Sequence, residues 1–179
     1  MNRNPANTVD IRVGSFIRKW MIATYGSDYI RLEKHTNLWA IVKQYLELIP
    51  EEYTPLEDRS EYITVELLVT QGGHRIWFNY PSDREIVINQ LYRCYIGEKG
   101  SAAIRRYLEN QFRNAFTIYM VGRFTDSDED HKTKIIRAIT EFLCDYRITV
   151  DTRLVNRLMK YWYRYRKKNP MKHPLPIFF

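Results

Sequence analysis

The sequence predicts a mainly α protein: a bundle of about six helices with one inserted β-hairpin at about 62–80 and an extended C-terminal arm. Three observations predict it. Apolar residues recur at helical spacing in several segments. A Gly-Gly pair at 72–73 separates two strand-like runs. The final segment, 169–179, contains three prolines and cannot be helical. We therefore predict one domain over 1–168 and a docking tail over 169–179.

The N-terminal third predicts two helices. Residues 1–9 are expected to form a loose arm, and Asp10 is expected to cap a helix that runs to about Tyr25. Gly26 suits the position just after that helix, where the left-handed conformation is common. Thr36 is expected to cap a second helix, which Pro50 ends.

The hairpin prediction depends on its register. A two-residue turn at Gly72-Gly73 places apolar residues opposite one another along one face, in the pairs Val69 with Ile76, Leu67 with Phe78 and Val65 with Tyr80. Leu68 and Trp77 pair on the other face. Because an isolated two-stranded ribbon is marginal in water, helices or a partner should cover it.

Four further helices and their boundaries follow. Ser82 and Glu85 form a capping box for a helix through about Tyr95, which the GEKG segment at 97–100 ends. Ser101 then begins an amphipathic helix, and the acidic run DSDED at 126–130 precedes another. Asp151 is expected to cap the last helix. A metal-binding role for DSDED is the weaker alternative, since the run lacks the glycine and terminal glutamate of a calcium loop.

Composition limits the class of protein. Aromatic residues make up 15% of the chain, including 14 Tyr. Such a content excludes a disordered composition. The start is polar, so we expect no signal peptide. No apolar run approaches the length of roughly 20 residues that spans a bilayer. Cys94 and Cys144 lie in amphipathic patterns and are expected to be buried thiols of a protein made inside the cell.

Motifs for catalysis or metal binding are missing from the sequence. The four histidines (His35, His74, His131 and His173) are dispersed, and there is no phosphate-binding glycine loop and no nucleophile elbow. We therefore expect no enzyme activity, no catalytic residue, no metal, no cofactor and no small-molecule substrate.

Charge is concentrated at the C-terminus. The segment 152–179 holds eight basic residues and no Asp or Glu, whereas the rest holds 20 basic and 21 acidic residues. In the last helix the basic residues recur at spacings of three and four, opposite an apolar face. We predict that an anionic partner, either DNA or acidic protein, contacts Arg153, Arg157, Lys160, Arg164, Lys167 and Lys168. A solvated face and a lipid surface are the alternatives, the lipid surface being disfavoured because the core needs the apolar face.

The chain ends in an apolar segment beyond a proline. We predict that it docks into a partner, with proline stiffness lowering the entropy of ordering. The alternative is that it folds back on its own domain. Together with two hairpin residues, the predicted docking set is Pro174, Leu175, Pro176, Ile177, Phe178, Phe179, Leu68 and Trp77.

This layout of helical bundle, inserted hairpin and extended arm resembles the adaptor proteins at the head–tail junction of tailed bacteriophages. The segments VDIRVGSFIRKWMIATYGSDYI (9–30) and LYRCYIGEKGSAAIRRYLENQF (91–112) are similar to small virion neck proteins of crAss-like phages. The resemblance implies a homo-oligomeric ring in the virion, assembled in the host cytoplasm, that contacts portal or neck proteins beside passing DNA.

Two functions therefore remain open. The first is a structural connector that grips neighbouring subunits through the hairpin and the tail. The second is a sequence-nonspecific DNA-binding accessory protein of a phage or mobile element that uses the basic helix. The β-hairpin and the apolar tail favour the first, because DNA binding needs neither, and the basic charge of 152–179 favours the second.

Overall fold

The computed structural model describes residues 8–33, 36–48, 58–66, 94–124 and 132–169, of which 66% are helical. The protein is thus mainly helical with small sheets, and the described residues form five helices rather than about six. In chain order the elements are β1 (Thr8–Arg12), α1 (Ser15–Tyr25), β2 (Tyr29–Arg31), α2 (Asn37–Gln44), β3 (Leu46–Leu48), β4 (Tyr62–Glu66), β5 (Cys94–Ile96), α3 (Glu98–Phe124), α4 (Lys132–Asp145) and α5 (Thr152–Lys168).

The chain divides into two compact units, Met1–Asn110 and Gln111–Phe179, and the long helix α3 belongs partly to each. The first unit contains all the described strands. In the second, the elements described are helices. The predicted boundary at 168–169 is not tested by this division and stays a prediction.

A three-stranded sheet organises the first unit, with strand order β1-β4-β2. β1 pairs with β4 antiparallel and β2 pairs with it in parallel. Val65, in β4, lies between Val9 on one side and Ile30 on the other. All three are buried, so the sheet presents an apolar face to the core.

This arrangement corrects the hairpin prediction at its first strand. Both edges of β4 are occupied at Val65, so Val65 cannot also pair with Tyr80. The remaining predicted pairs, from Leu67 to Phe78, lie outside the described residues.

The start of α1 also differs from the prediction. Asp10 lies in β1, where its carboxylate accepts hydrogen bonds from Arg59 and Thr64, and thus does not cap the helix. The N-cap is Gly14, whose φ is 84°. Glycine suits this conformation because it has no Cβ atom. Residues 8 and 9, expected in a loose arm, are part of β1. Gly26 ends the helix in the left-handed conformation, as predicted.

Helix α2 begins as predicted and ends early. The Thr36 hydroxyl accepts a hydrogen bond from the backbone N–H of Trp39, which confirms the cap. The helix stops at Gln44, and Leu46 begins a strand instead of continuing to Pro50. β3 pairs antiparallel with β5, so Leu46 faces Ile96 across the two strands.

The strand β5 corrects the placement of Cys94, which the sequence pattern assigns to a helix. Cys94 lies in an extended segment, and helix α3 begins at Glu98, inside the GEKG segment that was expected to separate two helices. Gly100 packs closely here: a Cβ atom on it would lie 2.7 Å from Cβ of Tyr45 and 2.8 Å from Cγ2 of Ile96. The glycine therefore permits a close approach and does not break the helix.

The second unit has an aromatic core centred on Phe142 of α4. Its ring lies 5.6 Å from that of Phe112 and 5.3 Å from that of Phe116, both edge-on. Tyr119 and Tyr146 add rings at 5.1 and 4.9 Å. Such edge-to-face contacts contribute beyond simple burial, so Phe142 joins α3 and α4 into one core.

Helix α4 ends in a tight cap. The N–H of Ile148 donates to the carbonyl of Leu143, and the N–H of Arg147 donates to that of Cys144. Arg147 adopts a positive φ of 52°. This left-handed conformation is what lets the chain close the last turn. Cys144, in the last turn, is exposed, so the prediction that both cysteines are buried is wrong for this one.

Candidate anion-binding interface

Helix α5 is positioned by its cap and its buried face. The Asp151 side chain accepts a hydrogen bond from the N–H of Arg153, which confirms the predicted start. The buried side chains of the helix are Leu154, Val155, Leu158 and Trp162. The indole of Trp162 lies 5.9 Å from the ring of Phe124, and this contact fixes which side of α5 faces inward.

The six basic residues predicted to meet an anionic partner lie together on the opposite side. At about 100° per residue they fall within an arc of roughly 100°, and at about 1.5 Å per residue they extend over about 22 Å. All are exposed: Arg153, Arg157, Lys160, Arg164, Lys167 and Lys168. We call this set the cationic stripe.

The stripe contrasts with other cations of the same unit. Arg123 and Arg137 both bind Glu141, at 2.6 and 2.9 Å. The pKa of Arg123 is raised by its hydrogen bond to the Tyr119 hydroxyl and by the charge of Glu141. Within the described part of the chain, Lys160 and Arg164 form no ion pair with an acid.

The imbalance extends to the whole second unit. Residues 111–179 contain 14 Lys or Arg and seven Asp or Glu, a net charge of +7. Residues 1–110 contain 14 of each, a net charge of zero. The cation excess therefore belongs to one unit, and the cationic stripe supplies six of its residues.

Neighbouring cations in the stripe repel one another. Two unit charges about 6 Å apart, one turn along a helix, interact with roughly 0.7 kcal/mol at the dielectric constant of water. Salt screens this only partly, because the Debye length at physiological ionic strength is about 8 Å. An anion along the stripe would add attractive contacts that offset this repulsion.

One neighbour of the stripe was not predicted. Tyr163 is 41% exposed. It lies three residues after Lys160 and four before Lys167, so it borders the cationic surface. The signal was present in the helical spacing, since position 163 falls off the apolar face. The stripe was identified by its charge, and Tyr163 was overlooked because it carries none.

Groups suited to catalysis are scarce in the part of the chain that the structure describes. Across these ranges, no three or more His, Cys, Asp or Glu side chains are grouped to hold a metal ion. Burial raises the pKa of the Cys94 thiol to about 11. Such a thiol is a poor nucleophile at neutral pH. The four histidines, the DSDED segment and the predicted docking residues Leu68, Trp77 and 174–179 lie outside the described residues.

Among the described residues, no helix is both long and apolar enough to cross a membrane. No protein-family model, curated protein or solved structure matches the chain.

Proposed function

We propose that the protein binds nucleic acid without reading its sequence, through the cationic stripe on α5. The observation that carries this proposal is the alignment of six exposed cations on one side of a helix whose other side is buried. Phosphate backbones supply anions at regular spacing and bind such surfaces through counterion release. Base-specific recognition would need side chains such as Asn or Gln beside Arg, and Asn156 is the only such residue within helix α5.

Other anionic partners fit the helix less well. A lipid surface would require α5 to insert apolar side chains, but Leu158 and Trp162 are buried in the core of their own unit. An acidic protein surface could face the stripe and is distinguished by the test below.

The test is a pair of triple variants measured with the full chain. Lys160→Glu, Arg164→Glu and Lys167→Glu together reverse the centre of the stripe. The matched control combines Lys99→Glu, Arg105→Glu and Arg106→Glu, which are exposed helical positions of the first unit. Both variants change the net charge equally, so a difference between them reports position and not total charge.

Binding is measured by fluorescence anisotropy with a labelled 30-nucleotide DNA of mixed sequence, single-stranded and as a duplex. The stripe variant should lose more than tenfold in affinity, and the control less than threefold. If six phosphates are neutralised, log K against log salt should have a slope of about −5 for the duplex. Binding that is indifferent to salt, or equally weakened by both variants, would contradict the proposal.

A second candidate is the virion connector that the sequence resemblance implies. One described feature favours it: Ile118, in the C-terminal half of α3, is 73% exposed. Burying one such side chain between subunits would contribute about 1.5–3 kcal/mol. Native mass spectrometry of the DNA-free protein counts the subunits, and a monomer at micromolar concentration would contradict a ring.

A further inference from the structure

An uncharged aromatic residue, Tyr163, lies at the edge of the cationic stripe and bears on which form of nucleic acid the stripe binds. Tyr163 sits about 60° around the helix from Lys160 and about 40° from Lys167. All three side chains are exposed, with Tyr163 at 41%. An aromatic ring and two ammonium groups therefore share one solvent-facing surface.

Tyr163 differs from the other aromatic residues of α5. Trp162 is fully buried, and Tyr165 stacks on it at 5.8 Å with ring planes 16° apart. Tyr161 lies 6.2 Å from the ring of Phe116, and its hydroxyl lies 3.3 Å from that of Thr117. Within the described residues, Tyr163 has no ring contact or hydrogen bond of this kind. The ring of Tyr163 is therefore not packed into the core of its unit.

An exposed aromatic beside cations is the combination that binds single-stranded nucleic acid. Phosphates follow the cations while an unpaired base stacks on the ring, and stacking tolerates any base because each has a π face. In a duplex the base faces are already stacked on one another, so only the edges and the backbone are accessible.

We infer that the α5 surface prefers single-stranded nucleic acid, with a base stacked on Tyr163 and phosphates bound by Lys160, Arg164 and Lys167. This inference rests on the proposed function and adds the substrate class to it. It requires no sequence preference. It predicts a ring-dependent contribution that exists for a single strand and not for a duplex.

The experiment compares Tyr163→Ala with Tyr163→Phe in the full chain, using the labelled 30-nucleotide DNA as a single strand and as a duplex. Tyr163→Ala should weaken single-strand binding about tenfold. Tyr163→Phe keeps the ring and should stay within twofold of the wild type. Duplex affinity should change less than twofold for both variants.

Tyr25→Ala is the matched control, because Tyr25 is 54% exposed and lies in the neutral first unit. It should leave single-strand binding unchanged. Far-UV circular dichroism of Tyr163→Ala checks that the helices persist, as expected for an exposed position.

The outcomes separate the inference from the function beneath it. If Tyr163→Ala binds single strands as tightly as the wild type while the stripe reversal abolishes binding, the stacking inference fails and the proposed function stands. Equal weakening toward single strand and duplex also overturns it, because stacking would then not be the cause. If the wild type binds neither form of DNA, both proposals fail.

Discussion

The two units of the chain use their charged residues differently. In the first, Arg12 binds Glu61 at 2.8 Å and Arg18 binds Asp28 at 2.7 Å. Arg59 donates to both Asp10 and Thr64, joining the β1 and β4 strands near their middle. The first two pairs link residues 49 and 10 positions apart in sequence. The charges are therefore part of how the sheet is held together.

In the second unit, apolar and aromatic contacts hold the fold, and most cations face away from it. The ring of Phe142 packs against those of two phenylalanines and two tyrosines, while the sequence of this unit has seven acids to 14 cations. Lys160 and Arg164, which pair with no acid among the described residues, are therefore available to a partner. The distribution of charge between the two units is therefore more informative about a binding surface than the net charge of the whole chain.

The largest loss of stability is expected from truncating Phe142, which tests whether aromatic packing holds the second unit together. Phe142→Ala should lower the free energy of unfolding by about 3–5 kcal/mol, the usual loss for a large aromatic truncated in a core. Urea denaturation followed by circular dichroism measures it. Phe142→Leu retains most of the volume and should lose less than half as much. A loss below about 1 kcal/mol for the alanine variant would show that the ring cluster is not the core.

The same contrast explains which elements the sequence could predict. Helices of the second unit show their period locally, so the apolar positions of α4 and α5 are predictable, as is the cap at Asp151. The strands of the first unit bring together residues up to 58 positions apart, as at Thr8 and Glu66. No local period reports such distant pairing. Asp10 illustrates the ambiguity, because a carboxylate that can cap a helix can equally accept from Arg59 near a neighbouring strand.

The site was predictable to the same extent. The cationic stripe followed from spacings of three and four in a single helix. Helical spacing places Trp162 and Tyr165 on the apolar face of α5 and Tyr163 off it. It does not show which of the remaining rings is covered: Tyr161 lies against Phe116 of another helix, whereas Tyr163 is exposed.

The two units also differ in the expected reactivity of their cysteines, of which each unit contains one. Cys94 is buried with a pKa of about 11, because burial disfavours its thiolate, and Cys144 is exposed. At pH 8 only about 0.1% of a thiol with that pKa is ionised. Iodoacetamide at pH 8 should modify Cys144 at least a hundredfold faster than Cys94, as followed by mass spectrometry of tryptic peptides.

The rate of Cys94 modification should rise with pH, because the thiolate is the form of the thiol that reacts. As pH rises from 8 to 10, the thiolate fraction of Cys94 should increase about a hundredfold, so its modification should accelerate steeply while the fold persists. The Cys144→Ser variant isolates this single thiol. Equal rates for the two cysteines in the native protein would show that the β3–β5 ribbon does not protect Cys94.

The smallest change in stability is expected when one positive charge is removed from each unit. Arg59→Gln should lower the free energy of unfolding by about 0.5–1 kcal/mol, because it weakens the links to Asp10 and Thr64 in a partly exposed setting where the solvent screens the pair. Lys160→Gln removes a cation from the stripe, and relief of repulsion should leave stability unchanged or slightly higher.

Chemical denaturation of both variants at low and at high salt, about 1 M, separates the two roles. Salt should shrink the Arg59→Gln penalty by screening an attraction, and should remove any Lys160→Gln gain by screening a repulsion. Destabilisation by Lys160→Gln as large as that by Arg59→Gln would mean that the stripe serves the fold, and the contrast between the units would then be wrong.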